Sequence, residues 1–276
     1  NMNIGVIMTC YNRKNKTLKC LTELVKQFAQ SDFNYDIHLT DDGCDDGTAE
    51  EVKSRFSNSI IYKGGNLFWA GGMRLAWKAA HEYKSYDYYL LLNDDTYVNN
   101  NLVADLWECI MITNKKAIIV CNVCDPVTGD RTYAGDKIRK FPFKVFSLLP
   151  NGKPQYISYS GANCMFVPRD IVEKVGFFPD IYIHGIADLD YCLRAQRYGF
   201  KVIMTSRYCG TCESDHGVPT TKDLRKMSIA QRYTYLMSPK GKAAKQWVYY
   251  QWTFFPWRLP LVLGKILLQL LFGFKD

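Results

Sequence analysis

Hydrophobic and polar positions along the first half of this chain switch between a strand-like and a helix-like period. Short apolar runs read as strands at Ile4–Met8, Asp36–Thr40, Ser59–Tyr62, Tyr88–Leu92 and Ala117–Cys121. Helical patterns lie between them, over about Lys14–Ala29, from near Thr48, through His81, and near Leu102–Ile112. Strands separated by helices of this length predict an α/β fold: a mostly parallel central sheet flanked by helices, with right-handed crossovers. After Asp125 the pattern shortens, with turn signals at Thr128-Gly129-Asp130 and Pro150-Asn151-Gly152, which predicts an antiparallel or mixed extension. A helix is expected from Asp188, with Leu189, Cys192, Leu193 and Gln196 on one face and Gly199 as its C-terminal cap, then a strand at Lys201–Met204. The last stretch reads as helical with an apolar, aromatic end. The expected organisation is one α/β domain over residues 1–220 and a helical C-terminal extension over 221–276.

Composition narrows the partners. At 276 residues and 47% hydrophobic, the chain can bury a sizeable core, and it shows no internal repeat or low-complexity tract. A net charge of +8 suits an anionic partner such as a nucleotide diphosphate or acidic lipid. No nucleic acid is expected, because neither a basic recognition helix nor an aromatic-basic RNA motif is present. The 10 cysteines are scattered rather than spaced as a disulfide scaffold, and no signal peptide is visible, so reduced thiols in the cytoplasm are expected. Asn1 before Met2 reads as a tag remnant. The pairs Cys121/Cys124 and Cys209/Cys212 lie far beyond the roughly 15–20 residue spacing of a zinc ribbon, so no structural zinc is expected there.

Acidic clusters carry the chemistry. Asp41-Asp42-Gly43-Cys44-Asp45-Asp46-Gly47-Thr48 and Asn93-Asp94-Asp95 each follow a strand, and Asp188-Leu189-Asp190 opens a helix. Parallel strands deliver such residues to the carboxyl edge of the sheet, where open α/β folds bind ligands. Crowded carboxylates repel one another unless a cation or hydrogen-bond donors compensate. The arrangement reads as a site for a metal-chelated nucleotide. Asp45 and Asp46 read as caps of the following helix, and Asp41 or Asp42 with Gly43 also fits a plain turn.

Together with Thr9-Cys10-Tyr11-Asn12-Arg13 and Ser160-Gly161-Ala162-Asn163-Cys164-Met165-Phe166, these motifs resemble family 2 glycosyltransferases of GT-A fold over roughly residues 3–216. The loop Gly64–Gly72 is most similar to the rhamnosyl- and galactofuranosyltransferase-type bacterial members. The resemblance implies inverting transfer of a sugar from a nucleotide diphosphate (UDP- or dTDP-linked), with Mn²⁺ or Mg²⁺ as divalent metal. It implies that Asp41 binds the nucleotide base, that Asp95 and His216 ligate metal, and that Asn93 and Asp94 lie near ribose or donor sugar. Thr9, Tyr11, Arg13, Asn66, Gly72 and Arg74 are the remaining candidates for donor binding, the two arginines facing phosphate. Trp69 is a candidate for stacking.

Asp188 is the candidate general base, since an acceptor hydroxyl needs its proton removed to attack a sugar carbon. The competing reading makes it a helix N-cap. Asp190, about 200° further round the helix, reads as structural. The chain departs from the family pattern at Asn93, where many relatives carry Asp, and at Ala187, where many carry Glu. Two alternatives follow: a sugar nucleotidyltransferase, opposed by Thr9–Arg13 in place of a glycine-rich basic segment, and a catalytically dead scaffold. Residues 240–276 interleave lysines and Arg258 with aromatic residues, and Arg258, Pro260 and Lys265 interrupt the apolar run. A spanning helix is therefore not expected; a helix lying in the membrane interface is. The expected setting is a cytoplasmic enzyme, peripheral on the inner face of the plasma membrane, acting on a lipid-linked glycan acceptor in cell-surface polysaccharide synthesis. Packing on the catalytic domain or in a homo-oligomer is the other use of that tail.

Overall fold

Residues 1–214, 223–239 and 241–274 are described by a computed structural model. The first strands and helices run β1 (Met2–Cys10), α1 (Lys14–Phe28), β2 (Phe33–Asp41), α2 (Thr48–Arg55), β3 (Ser59–Lys63), α3 (Phe68–Tyr83) and β4 (Tyr88–Leu92). Next come β5 (Tyr97–Val98), α4 (Leu102–Thr113) and β6 (Ala117–Cys124), then the short strands β7 (Arg131–Tyr133), β8 (Asp136–Arg139), β9 (Lys144–Ser147) and β10 (Gln155–Tyr156). The chain continues with β11 (Cys164–Pro168), α5 (Arg169–Val175), α6 (Ala187–Arg197) and β12 (Lys201–Thr211), and ends in α7 (Ile229–Met237), α8 (Ala244–Phe254) and α9 (Leu259–Phe272).

The main sheet is ordered β10-β12-β6-β11-β4-β1-β2-β3. β3, β2, β1 and β4 are mutually parallel, β11 is antiparallel to both its neighbours, and β12 is again parallel to β6. This is the expected parallel half joined to a mixed half. β1 and β4 are buried along nearly their whole length, as strands covered on both faces must be. Their alternating side chains serve two cores. Val6, Met8, Leu90 and Leu92 pack with Leu21, Leu24 and Leu106 on the α1/α4 face. Ile7, Tyr89 and Leu91 pack with Trp77, Ile171 and Tyr191 on the α3/α5/α6 face.

Gly71 and Gly72 belong to α3 rather than to a loop before it. A Cβ on Gly72 would lie 2.2 Å from Thr9 Oγ1, so only glycine lets α3 approach β1 there. Thr40 Oγ1 donates to the Gly72 carbonyl at 2.7 Å, fixing the same contact. Around α6 the expected single apolar face divides in two. Tyr191, Cys192 and Ala195 face the main core, whereas Leu189 and Leu193 pack under Tyr250, Phe254 and Phe255 of α8 and its end. The C-terminal helices are thus partly built into the α/β body. The expected boundary at residue 220 lies outside the described residues, as does His216.

A buried histidine couples this sheet to pH. His38 on β2 sits between Tyr62 Oη and Tyr86 Oη, each 2.8 Å away, and Tyr86 Oη donates to Asp36 at 2.8 Å. With the Tyr86 proton committed to Asp36, His38 Nε2–H donates to Tyr86 and Nδ1 accepts from Tyr62. Burial pushes His38 down to about 4. The unfolded chain binds a proton below about pH 6.5 and the folded chain does not. Relative to His38→Gln, stability should therefore fall by about 3 kcal/mol as pH drops from 6.5 to 4, and change no further below that. Chemical denaturation of both chains across this range measures it; parallel curves would refute a neutral His38.

Candidate active site

The carboxyl ends of β1, β2 and β4 lie side by side, because Cys10 is paired with Asp41 and Ile7 with Leu91. Chain leaving these ends and the entry to α6 together line a cavity of about 700 Å³. Of the residues singled out by sequence, Thr9, Tyr11, Arg13, Asn66, Asn93, Asp94, Asp95 and Asp188 line it, as does Trp69.

Asp94 and Asp95 follow β4 and are both buried. One guanidinium serves both: Arg13 Nη1 lies 3.0 Å from Asp94 Oδ1 and 2.7 Å from Asp95 Oδ2. Burial pushes Asp94 up to about 6, against the opposing pull of Arg13 and with the Asp95 charge adding to the rise. Two carboxylates offset by one cation leave an excess of negative charge on hard oxygen donors. That is the donor set and charge a divalent cation sharing phosphate oxygens requires, so the residues present fit a metal. The expected partner His216 lies outside the described residues. Asn93 is held from the side by Trp69, whose Nε1 donates to Asn93 Oδ1 at 2.8 Å. Trp69 also packs on Phe178, with ring centroids 5.6 Å apart.

The two aspartates after β2 do different things. Asp41 Oδ1 accepts from the Gly43 and Cys44 amides at 3.2 and 2.7 Å, closing its own turn, and Asp41 is not among the lining residues. Asp42 lines the cavity, and its carboxylate accepts from the amides of Gly65, Leu67 and Phe68, holding the loop and the start of α3. Asp46 accepts from the Thr48 amide and from the Lys14 amide, both at 3.0 Å, and so joins the starts of α2 and α1. Arg74 turns away from the cavity lining to Asp180, 2.9 Å from its Nε, and donates to the Pro179 and Tyr182 carbonyls. Gly72 serves packing between α3 and β1 rather than the lining.

Asp188 lines the same cavity as the acidic pair. It occupies the second position of α6, whose N-cap is Ile186 in the left-handed region, so it is not the cap residue. Its Oδ2 accepts from the Ala162 amide at 3.0 Å, which ties α6 to the turn before β11. Burial raises its pKa from the ordinary aspartate value, while the Ala162 amide pulls the other way. A half-buried carboxylate of raised pKa bordering a cavity is a competent proton acceptor. Asp190, two residues on, is fully buried, accepts from Tyr182 Oη at 2.7 Å and pairs with Arg194 at 2.8 Å, which anchors the loop before α6.

Tyr133, Asn163, His184, Phe68 and Asp42 also border the cavity. Asn163 lies inside a motif visible in the sequence, and its carbonyl accepts from the Asn93 amide at 2.9 Å. Tyr133 ends the three-residue strand β7 and His184 stands in the loop before α6, and the local pattern of neither segment carries a signal.

Known proteins resemble this chain in sequence and in fold. A hexosyltransferase of low-salt glycan biosynthesis, Agl10 from Haloferax volcanii, is 22% identical over 188 residues; the match covers 63% of this chain and 58% of that protein. The chain thus spans less than two thirds of that relative's length. The structure of Staphylococcus aureus TarS with UDP superposes with a TM-score of 0.53 at 14% identity, covering 77% of this chain and 60% of that one. The mannosyltransferase PcManGT of Pyrobaculum calidifontis, solved with GDP-Man and Mn²⁺, gives a TM-score of 0.54 at 14% identity, covering 97% and 70%. At these identities the structural likeness establishes the GT-A fold. The model of glycosyl transferase family 2 matches residues 5–176, well over half of the chain, and with the strand-end carboxylates and the parallel β3-β2-β1-β4 half it places this chain in that family.

Proposed function

We propose that this chain transfers a hexose or deoxyhexose from a nucleotide diphosphate to a hydroxyl acceptor, with inversion. The observation that carries the reading is one cavity lined by Asp94, Asp95 and Arg13 and also by Asp188. The acceptor oxygen bonds to the sugar carbon as the carbon–phosphate-oxygen bond breaks, and the nucleotide diphosphate leaves with that electron pair. Asp188 takes the acceptor proton; its burial raises its basicity, and the Ala162 amide fixes its direction. Asp94 and Asp95 would hold the divalent cation, which supplies charge compensation for the departing diphosphate. Arg13 orients both carboxylates. Trp69 and Asn93 fix the wall between them, where the sugar would lie. UDP- and dTDP-linked sugars of the rhamnosyl- or galactofuranosyl-type are the donors to try first.

A thermal-shift screen of nucleoside diphosphates tests the reading. A matching nucleotide at about 100 times its Kd should stabilise the chain by about 2.7 kcal/mol with Mn²⁺ present. The shift should shrink when Mn²⁺ is chelated. No metal-dependent shift with any nucleoside diphosphate would point to a scaffold that has lost catalysis.

The acceptor reading rests on α9. This helix has 14 residues, about 21 Å long, against a hydrocarbon core of about 30 Å. Among the described residues, no helix is long and apolar enough to cross a membrane. Val262 and Gln269 of α9 face inward, and Leu261, Leu263, Leu267, Leu268, Leu271 and Phe272 are exposed. Lys245 and Lys265 are exposed on the same C-terminal segment, and each cation near an anionic surface contributes about 1 kcal/mol. These features support a helix lying on acidic lipid at the inner face of the plasma membrane, close to a lipid-linked glycan acceptor. Deleting the tail is a poor test, because α8 covers Leu189 and Leu193 of α6. Leu267→Glu with Leu271→Glu should instead abolish flotation with anionic liposomes while leaving thermal stability near the parent's. Undiminished flotation of that variant would move the contact elsewhere.

A further inference from the structure

Of the cysteine pairs conspicuous in the sequence, Cys121 and Cys209 meet in the core beside Cys164, but among the described residues the four do not form one ligand group. Cys121 and Cys209 are buried in the core, and Cys212 Sγ lies 3.8 Å from Asp95 Oδ1. Two thiols that nothing in the sequence associates come together instead. Cys10 ends β1, Cys44 lies on the turn after β2, and their sulfurs are 3.7 Å apart. Among the described residues, the group of ligand atoms close enough for one ion is Cys10, Asp41 and Cys44, all within 4.8 Å.

We propose that Cys10, Cys44 and Asp41 form a second metal site, for a thiophilic divalent cation such as Zn²⁺, distinct from the carboxylate site at Asp94 and Asp95. The geometry agrees. Two thiolates bound tetrahedrally to zinc at about 2.3 Å stand about 3.8 Å apart, the separation found here before any ion binds. The chemistry agrees as well: thiolate donors select zinc over Mg²⁺ or Mn²⁺, whereas the Asp94/Asp95 oxygens do the reverse.

The surroundings hold these donors in place. Asn12 takes a left-handed conformation, φ 51°, that turns its amide onto Cys44 Sγ at 3.3 Å. Its side-chain Oδ1 accepts from the Asp45 amide at 2.9 Å, locking the two strand ends together. An amide donated to sulfur stabilises a thiolate, as hydrogen bonds around bound ligands do in metal sites. Asp41 Oδ1 is held by the Gly43 and Cys44 amides, which directs the carboxylate within the same turn. Cys10 borders the cavity and Cys44 is half-buried, so an ion can reach both. Binding displaces the two thiol protons to solvent, and three protein ligands leave a tetrahedral ion one position for water.

The test uses the full-length reduced chain, stripped of metal and titrated with Co²⁺ alone. The expected result is thiolate-to-cobalt charge-transfer absorption with the intense visible bands of tetrahedral Co²⁺. These should saturate at one equivalent and be bleached by Zn²⁺. Cys44→Ser should remove the charge-transfer band, Asp41→Asn should weaken Co²⁺ binding by about 10–100-fold, and Asp95→Ala should leave the band intact. A folded parent chain without a thiolate band, or a band that survives Cys44→Ser, overturns the site. An independent reading needs no variant: saturating Zn²⁺ should protect Cys44 from alkylation, followed by peptide mass spectrometry, and unprotected Cys44 refutes the proposal. Both readings stand apart from sugar transfer, so failure here leaves that function untouched.

Discussion

Asp188→Asn should lower turnover by about 10²–10⁴-fold, the range expected when a positioned general base is removed. Asparagine keeps the size of the side chain and an oxygen for the Ala162 amide, so the α6 entry and the cavity wall should persist. Its amide cannot take the acceptor proton. Nucleotide affinity should stay near that of the parent chain, because Arg13 pairs with Asp94 and Asp95 and that network is left unchanged. The pH profile offers a second readout. Burial raises the Asp188 pKa, so the parent's activity should fall on acidification at a higher pH than for an ordinary aspartate, as the base becomes protonated. That acid limb should vanish from the residual activity of Asp188→Asn. Near-normal turnover in the variant would reduce Asp188 to a strut between α6 and the turn before β11.

Asp95→Ala should abolish metal-dependent nucleotide binding and leave the chain folded. Asp95 is buried yet borders the cavity, so its loss opens solvent-accessible space rather than a sealed void in the core. Arg13 keeps Asp94 as its partner, 3.0 Å away. Removing the Asp95 charge also removes one cause of the raised Asp94 pKa, so Asp94 should ionise at lower pH in the variant. Asp94 alone then faces Arg13, and the excess negative charge that suits a cation is gone. Isothermal titration with nucleoside diphosphate, with and without Mn²⁺, reads the effect directly. An Mn²⁺-dependent affinity equal to the parent's would place the metal on other residues.

The same charge reasoning explains what each variant leaves alone. Asp188 takes no part in the Arg13 network, and Asp95 is not among the causes of the raised Asp188 pKa. The two effects should therefore separate, one in turnover and one in nucleotide affinity.

The sequence by itself determined the parallel half of the sheet and which strands end in acid. Apolar runs of strand length between helical patterns leave little freedom, since parallel strands need crossovers and their exits fall at one edge. It also singled out Asn93-Asp94-Asp95 and Asp188, because carboxylates at strand ends and helix starts carry a local signature, and the fold brings them to one cavity. The tertiary structure alone decided the division of labour at β2. Asp41 and Asp42 are indistinguishable by type, but one closes its own turn and the other caps the approach to α3. It alone turned Arg74 onto Asp180 and gave Arg13 to both acidic residues. It alone made Gly71 and Gly72 part of helix α3, which is pressed against Thr9 at Gly72. Tyr133 and His184 reach the cavity, and Cys10 meets Cys44, through pairings between segments far apart in the chain. Such encounters depend on strand order and register, which local periodicity does not encode.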